Sequence, residues 1–184
     1  MNKLLIHQPE FFPWLNLFTK INRVNKFVFL DHVQFSRRSF QNRNLIKSSE
    51  GTIWLTIPIK KTRRETIIKN IEISYNTNWV DKHLGIIHES YKNSNYYKQV
   101  MPIIETQYNK KYSNLSEFNI NVLKVLIKKF NYSCSLSRSS DAKYQSKKSD
   151  LILEICKNYN CTNYVTGIGS KSYLDENKFS KNKI

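Results

Sequence analysis

Residues 3–6 suit a short buried strand, with Leu4, Leu5 and Ile6 in succession after Lys3, and residues 12–24 place Trp14, Leu15, Leu17, Phe18 and Ile21 at helical spacing behind Pro13. Residues 26–30 then read as a second strand, with an apolar run from Phe27 to Leu30. A strand, a helix entered at a proline and another strand in close succession form a βαβ unit, with parallel strands joined by a right-handed crossover. Ligands of such sheets collect outside the carboxyl ends of the strands. In this chain those ends are His7 to Glu10 and Asp31 to Phe35.

The rest of the chain extends the same pattern. Thr52 to Ile59 reads as a strand, placed at an edge by Pro58, and Ile67, Ile71 and Ile73 suggest a further strand joining it. Val80, Leu84, Ile87 and Tyr91 lie on one helical stripe behind a cap at Asn78, and Leu115 to Phe130 forms a second helix. Tyr132 to Leu136 reads as a strand, Ser149 caps a helix through Ile152, Ile155, Cys156 and Tyr159, and Asn163 to Thr166 is a last short strand broken by Gly167 and Gly169. The fold class expected is α/β, one domain over residues 1–184, with a mainly parallel sheet and a following helical portion. With only four glycines, four prolines and no repeat, nothing in the chain reads as a linker.

Composition narrows the function classes. A chain of 184 residues buries about 70% of its unfolded surface, enough for a core without staples. Cys134, Cys156 and Cys161 are odd in number and lack a CxxC spacing, so they read as reduced thiols of a cytoplasmic protein. His7, Gln8 and Glu10 interrupt the first apolar run before it resembles an export signal, and no stretch reaches the roughly 20 apolar residues of a membrane span. The formal net charge of +16 suits a polyanionic partner such as RNA. Lysine, asparagine and isoleucine are all abundant, however, and a compositional bias of that kind inflates lysine. Arginine is not inflated in that way, which leaves Arg37, Arg38 and Arg43 as the informative cluster.

The segment Asp31 to Asn44 concentrates groups that grip planar or anionic ligands. Arg37, Arg38 and Arg43 match carboxylate and phosphate oxygens in two-pronged geometry, while Gln34, Gln41 and Asn42 suit sugar hydroxyls or base edges. The same stretch also reads as a solvated, salt-bridged loop. His7 and Gln8 stand between a strand end and a helix start, where unpaired amides favour phosphate and a histidine can move a proton, although a lone histidine is often structural. His32 reads in the same two ways. His83 and His88 are five residues apart with no carboxylates to complete a ligand set, so neither a metal nor another cofactor is expected. Gly167 and Gly169, with Tyr173 just beyond, either permit close backbone approach to a ligand or form a plain turn; the spacing before Ser170-Lys171 is not that of a Walker loop.

Ile6-His7-Gln8-Pro9, Pro13-Trp14, the run from Phe29 to Phe35, Arg38 to Asn44 and Trp54-Leu55-Thr56-Ile57-Pro58 together resemble the WbqC-like family. The resemblance continues through Trp79, Lys82-His83-Leu84, Ser90-Tyr91-Lys92, Tyr164 to Gly167 and Tyr173-Leu174-Asp175. It implies a role in bacterial surface polysaccharide (O-antigen) synthesis: acyl or aminoacyl transfer, for example glycyl, to the amine of a nucleotide-linked amino sugar. The donor would be an aminoacyl-tRNA or an acyl thioester, so nucleic acid enters through tRNA. In that reading His7 and Asp31 are catalytic, and Gln8, Trp14, Gln34, Arg37, Arg38, Gln41, Asn42, Arg43, Gly167, Gly169 and Tyr173 bind substrate. Related chains usually continue past Tyr173-Leu174-Asp175, so a C-terminal portion of the family's pattern is expected to be missing after Ile184. A fainter similarity, a histidine after the first strand of a Rossmann-like unit, links the opening to HUP-type nucleotidyl-transferring enzymes, although the second half of their His-x-Gly-His signature is absent. An accessory RNA-binding protein and a HUP-like nucleotidyltransferase are the alternatives.

Overall fold

The computed structural model describes residues 1–170 and 172–184. In chain order its elements are β1 (Lys3–His7), α1 (Leu15–Ile21), β2 (Lys26–Phe29), β3 (Arg43–Ser48), β4 (Gly51–Thr56), α2 (Trp79–Tyr91), α3 (Tyr97–Asn109), α4 (Leu115–Lys129), β5 (Ser135–Arg138), α5 (Lys148–Asn158), β6 (Asn163–Val165) and α6 (Glu176–Lys181). Short 3-10 turns lie at Ile68–Asn70, Ser139–Asp141 and Ile168–Ser170. The chain forms two compact units: Met1–Gln8, Trp14–His32 and Phe130–Ile184 make the first, Pro9–Pro13 and Val33–Lys129 the second.

The first unit is built on a four-stranded sheet of order β5-β2-β1-β6, parallel throughout. The βαβ expectation is met: Leu4 pairs with Lys26 and His7 with Phe29 across α1. Leu4, Leu5, Ile6, Phe27, Val28 and Phe29 are all buried, as expected of parallel strands covered on both faces. Leu17, Phe18 and Ile21 form the buried side of α1, and Leu151, Ile152, Ile155 and Cys156 that of α5. Because β2 and β5 lie to one side of β1 and β6 to the other, the chain direction reverses between β1 and β6, where open α/β sheets leave a crevice. Two details differ from the sequence reading. The strand expected over Tyr132 to Leu136 is displaced to Ser135–Arg138, and the N-cap of α5 is Lys147; Ser149 lies inside the helix, its hydroxyl accepting from the Asp175 N–H at 3.0 Å.

The second unit packs the antiparallel hairpin β3–β4 with α2, α3 and α4 around Phe11, Leu55, Ile57, Trp79, Tyr108 and Phe118. The strand expected around Thr52 is present, but its partner is Arg43–Ser48, which had read as part of a polar segment. The Ile67 to Ile73 stretch is not a continuous strand. Ile68 and Ile71 are both fully buried, and their separation of three suits the 3-10 turn between them, leaving only isolated bridges from Ile67 to Gln34 and from Ile73 to Ile59. Asn78 does precede α2, yet its side chain makes no capping hydrogen bond. Helix α3 was hidden from sequence reading by Pro102, a helix breaker that the fold accommodates inside it.

Candidate functional site

The carboxyl edge of the parallel sheet in the first unit gathers the most chemistry. Strand β2 delivers Asp31 and His32 two and three residues after it ends, and β5 delivers Ser139 and Ser140 beside them. Asp31 has no exposed surface, and its charge is matched by three donors. The Ser140 N–H and the Ser139 hydroxyl donate to Oδ1 at 3.0 and 3.2 Å, and the Ser140 hydroxyl donates to Oδ2 at 2.9 Å. With its proton directed at Asp31, Ser139 Oγ accepts from the Asp31 N–H at 3.1 Å and faces His32 Nδ1 at 2.5 Å. His32 Nδ1 is therefore the nitrogen that donates to Ser139 Oγ, so the ring is oriented through a hydroxyl that is itself fixed on Asp31.

Tyr144 stacks on the His32 ring at 5.5 Å with 26° between planes. Burial raises the Tyr144 phenol above its ordinary range, with further contributions from Tyr159, Glu154 and Asp141, so it stays protonated. Glu154 accepts from the Ser146 and Gln145 N–H groups at 3.0 and 3.4 Å; the Ser146 bonds lower its pKa most, and His32 lowers it slightly. Ser139, Ser140, Tyr144 and Glu154 were missed by sequence reasoning. The available signal was a Ser-Ser-Asp run at a strand end, obscured because that strand was placed too early.

At the end of β1, His7 is half-buried, with Nδ1 3.0 Å from the Gln8 carbonyl. A carbonyl only accepts, so Nδ1 holds the proton here too. After β6, the Thr166 hydroxyl donates to Ser170 Oγ at 2.8 Å and the Ser170 hydroxyl donates to the Gly167 carbonyl at 2.6 Å, closing a tight turn beside a cavity of about 370 Å³. The Lys20 ammonium, 3.5 Å from where a Cβ on Gly167 would stand, brings a cation to this turn. Neither Gly167 nor Gly169 adopts a left-handed φ, and open space surrounds Gly169. Tyr173 and Trp14 are both about half exposed, at 51% and 55%, while Lys171 lies outside the described residues.

The other sequence candidates belong to the second unit. Arg37 donates to the Thr62 carbonyl at 2.7 Å and Gln34 to the Arg64 carbonyl at 2.8 Å; Arg38 is exposed with a φ of 56°. Gln41 and Asn42 are buried. Gln41 Oε1 accepts from the Ser36 N–H at 3.1 Å, and Asn42 Nδ2 donates to the Ile57 carbonyl at 3.2 Å. The Arg43 guanidinium lies 4.2 Å over the Trp54 ring. Among the described residues no cluster of histidine, cysteine and carboxylate side chains suits a metal ion, and no helix is long and apolar enough to cross a membrane.

A family model described as the WbqC-like protein family matches residues 8–184. The chain belongs to the WbqC-like family. It is also similar to an uncharacterized protein of Mycobacterium tuberculosis, Rv1507c, with 29% identity over 191 residues covering all of this chain and 80% of that one. No solved structure matches it. The match begins at Gln8, so the WbqC-like region takes in both the carboxyl edge of the parallel sheet and the whole second unit.

Proposed function

We propose that this WbqC-like protein is a transferase that moves an acyl or aminoacyl group, such as glycyl, onto the amine of a nucleotide-linked amino sugar, with its active centre at the carboxyl edge of the parallel sheet. The observation that carries this reading is the Asp31–Ser139–His32 chain of hydrogen bonds at adjacent strand ends. An amine attacks an acyl carbonyl only when it is neutral. His32 Nε2 takes the amine proton as the new C–N bond forms, the C–O or C–S bond to the donor breaks, and the leaving oxygen or sulfur takes a proton. Asp31 and Ser139 act by positioning, since the carboxylate itself is enclosed. His7 is the second candidate base. Lys20 and the Thr166–Ser170 turn stand at the strand reversal, where open sheets hold phosphate groups, and Gln8, Trp14, Gly167, Gly169 and Tyr173 would line the sugar or nucleotide. An aminoacyl-tRNA donor suits the net charge of +16.

The test is incubation of purified protein with a dTDP-4-amino sugar and either aminoacyl-tRNA or an acyl thioester, followed by weighing of the products. We expect a product heavier by one acyl group. His32→Ala should lower its rate by about 10²–10⁴-fold, and Ser139→Ala should displace the pH–rate profile. Absence of any mass change with every donor would overturn the reading. The basic charge also favours a second reading, a non-catalytic RNA-binding accessory, which would show affinity falling steeply with salt and indifferent to His32→Ala.

A further inference from the structure

The second unit holds a cavity of about 640 Å³ between β4 and the start of α2. Trp54 and Trp79 form aromatic wall, and Thr56, Thr77, Asn78 and Lys82 supply hydroxyl, amide and ammonium groups around it. Trp54 is the unusual member. Its indole is 42% exposed, which is costly for so large an apolar surface, yet it is held in place by the Arg43 guanidinium stacked 4.2 Å from its ring and by Phe40 at 6.3 Å. Cross-strand pairing fixes that clamp, because Arg43 lies opposite Thr56 and Leu45 opposite Trp54, which puts Arg43 and Trp54 on one face of the hairpin. A clamped, exposed ring with hydroxyl, amide and ammonium groups around it matches a sugar, which has a C–H face for the indole and oxygens for the rim.

Charge narrows the ligand further. Among the described residues no carboxylate lines the cavity, and His83, which also lines it, is buried among aromatic rings and neutral at physiological pH, with its pKa lowered to about 4 by burial. Lys82 therefore supplies the charge of the lining. The amide of Asn78, at the N-cap of α2 without capping it, is left to other partners. We infer that this cavity binds a pyranose sugar carrying an anionic substituent, its ring against Trp54 and its charge toward Lys82. The inference does not rest on the transferase reading: the transfer assay reads the first unit and the experiment below reads the second, so either can fail alone.

The test is a saturation-transfer NMR titration of the full chain with methyl glucuronide and glucose 1-phosphate, against methyl glucoside and uridine monophosphate, with inorganic phosphate followed as a competitor that displaces the sugar signals. We expect transfer to the ring protons of both acidic sugars and weaker binding of the neutral glycoside. Trp54→Ala should weaken the acidic sugars about tenfold, the loss of one stacking contact, and Trp54→Phe should recover part of it. Lys82→Gln should erase the preference for acid over neutral sugar while keeping the ring signals. The glucuronide and the sugar phosphate separate a carboxylate from a phosphate as the preferred anion. No transfer to ring protons, equal binding of inorganic phosphate, tighter binding of uridine monophosphate, or affinity unchanged in Trp54→Ala would each overturn the inference.

Discussion

His83 is 4% exposed and ringed by Phe11, Trp79 and Tyr108, with Nδ1 3.2 Å from the Tyr108 hydroxyl. Burial dominates its titration and lowers its pKa from the usual 6.5 to about 4; a hydrogen bond to the Thr56 backbone opposes the shift and Lys82 adds to it. The folded protein therefore binds this proton less readily than the unfolded chain does. The associated stability is complete above pH 6.5 and is lost as pH falls toward 4, a change of about 3 kcal/mol. Urea unfolding at pH 7 and pH 5 should show the midpoint dropping in the wild type, and His83→Phe should flatten that difference. At this scale the sequence was informative about residue types and uninformative about partners. Gln41 and Asn42 read as side chains suited to sugar hydroxyls or base edges; both are buried, as is the neighbouring Asn44, whose amide donates to the Phe11 and Phe12 carbonyls, where Phe12 takes a positive φ of 45°. An amide that satisfies a distant carbonyl and one that reads a sugar are identical in sequence.

Helix α4 shows what an element adds. Its Asn119 is 2% exposed and donates to the Pro9 carbonyl at 3.3 Å and the Gln41 carbonyl at 2.8 Å, tying residues 9–13 and 41 to the helix within the second unit. Asn119→Leu fills similar volume but strands both carbonyls, at about 1–3 kcal/mol for each buried acceptor. An unfolding free energy lower by that amount in a denaturant titration, with the helical circular dichroism signal kept, is the expected result; an unchanged midpoint would mean that the carbonyls find other donors. Long amphipathic elements were readable in advance: α2 and α4 have the boundaries their apolar stripes suggest, within a residue. Helix α3 was not, because Pro102 argues locally against a helix that tertiary packing of Met101 and Tyr108 sustains. Strand β3 was not either, since Arg43, Asn44 and Lys47 give it too little apolar alternation to be recognised without its partner β4.

For the whole molecule, charge and topology dominate. Thirty lysines and arginines face fourteen acids, so self-repulsion opposes compaction at low ionic strength. Raising sodium chloride from about 10 to about 200 mM should screen that repulsion and lift the thermal midpoint by about 2–5 °C; a fall would point to ion pairs outweighing the repulsion. The sequence alone determined the parallel βαβ opening, because unbroken apolar runs separated by a helix-length amphipathic segment leave the backbone few other ways to satisfy its hydrogen bonds. It also determined the family, through side chains read in order along the chain. Only the tertiary structure decided that Ser139 and Ser140 stand beside Asp31 and His32, more than a hundred residues earlier, and that the arginine-rich segment begins a hairpin in a unit of its own. Local propensity is set within a few neighbouring residues, whereas strand order and the pairing of distant side chains are chosen by which apolar faces can be buried together, a property that no single stretch of the chain contains.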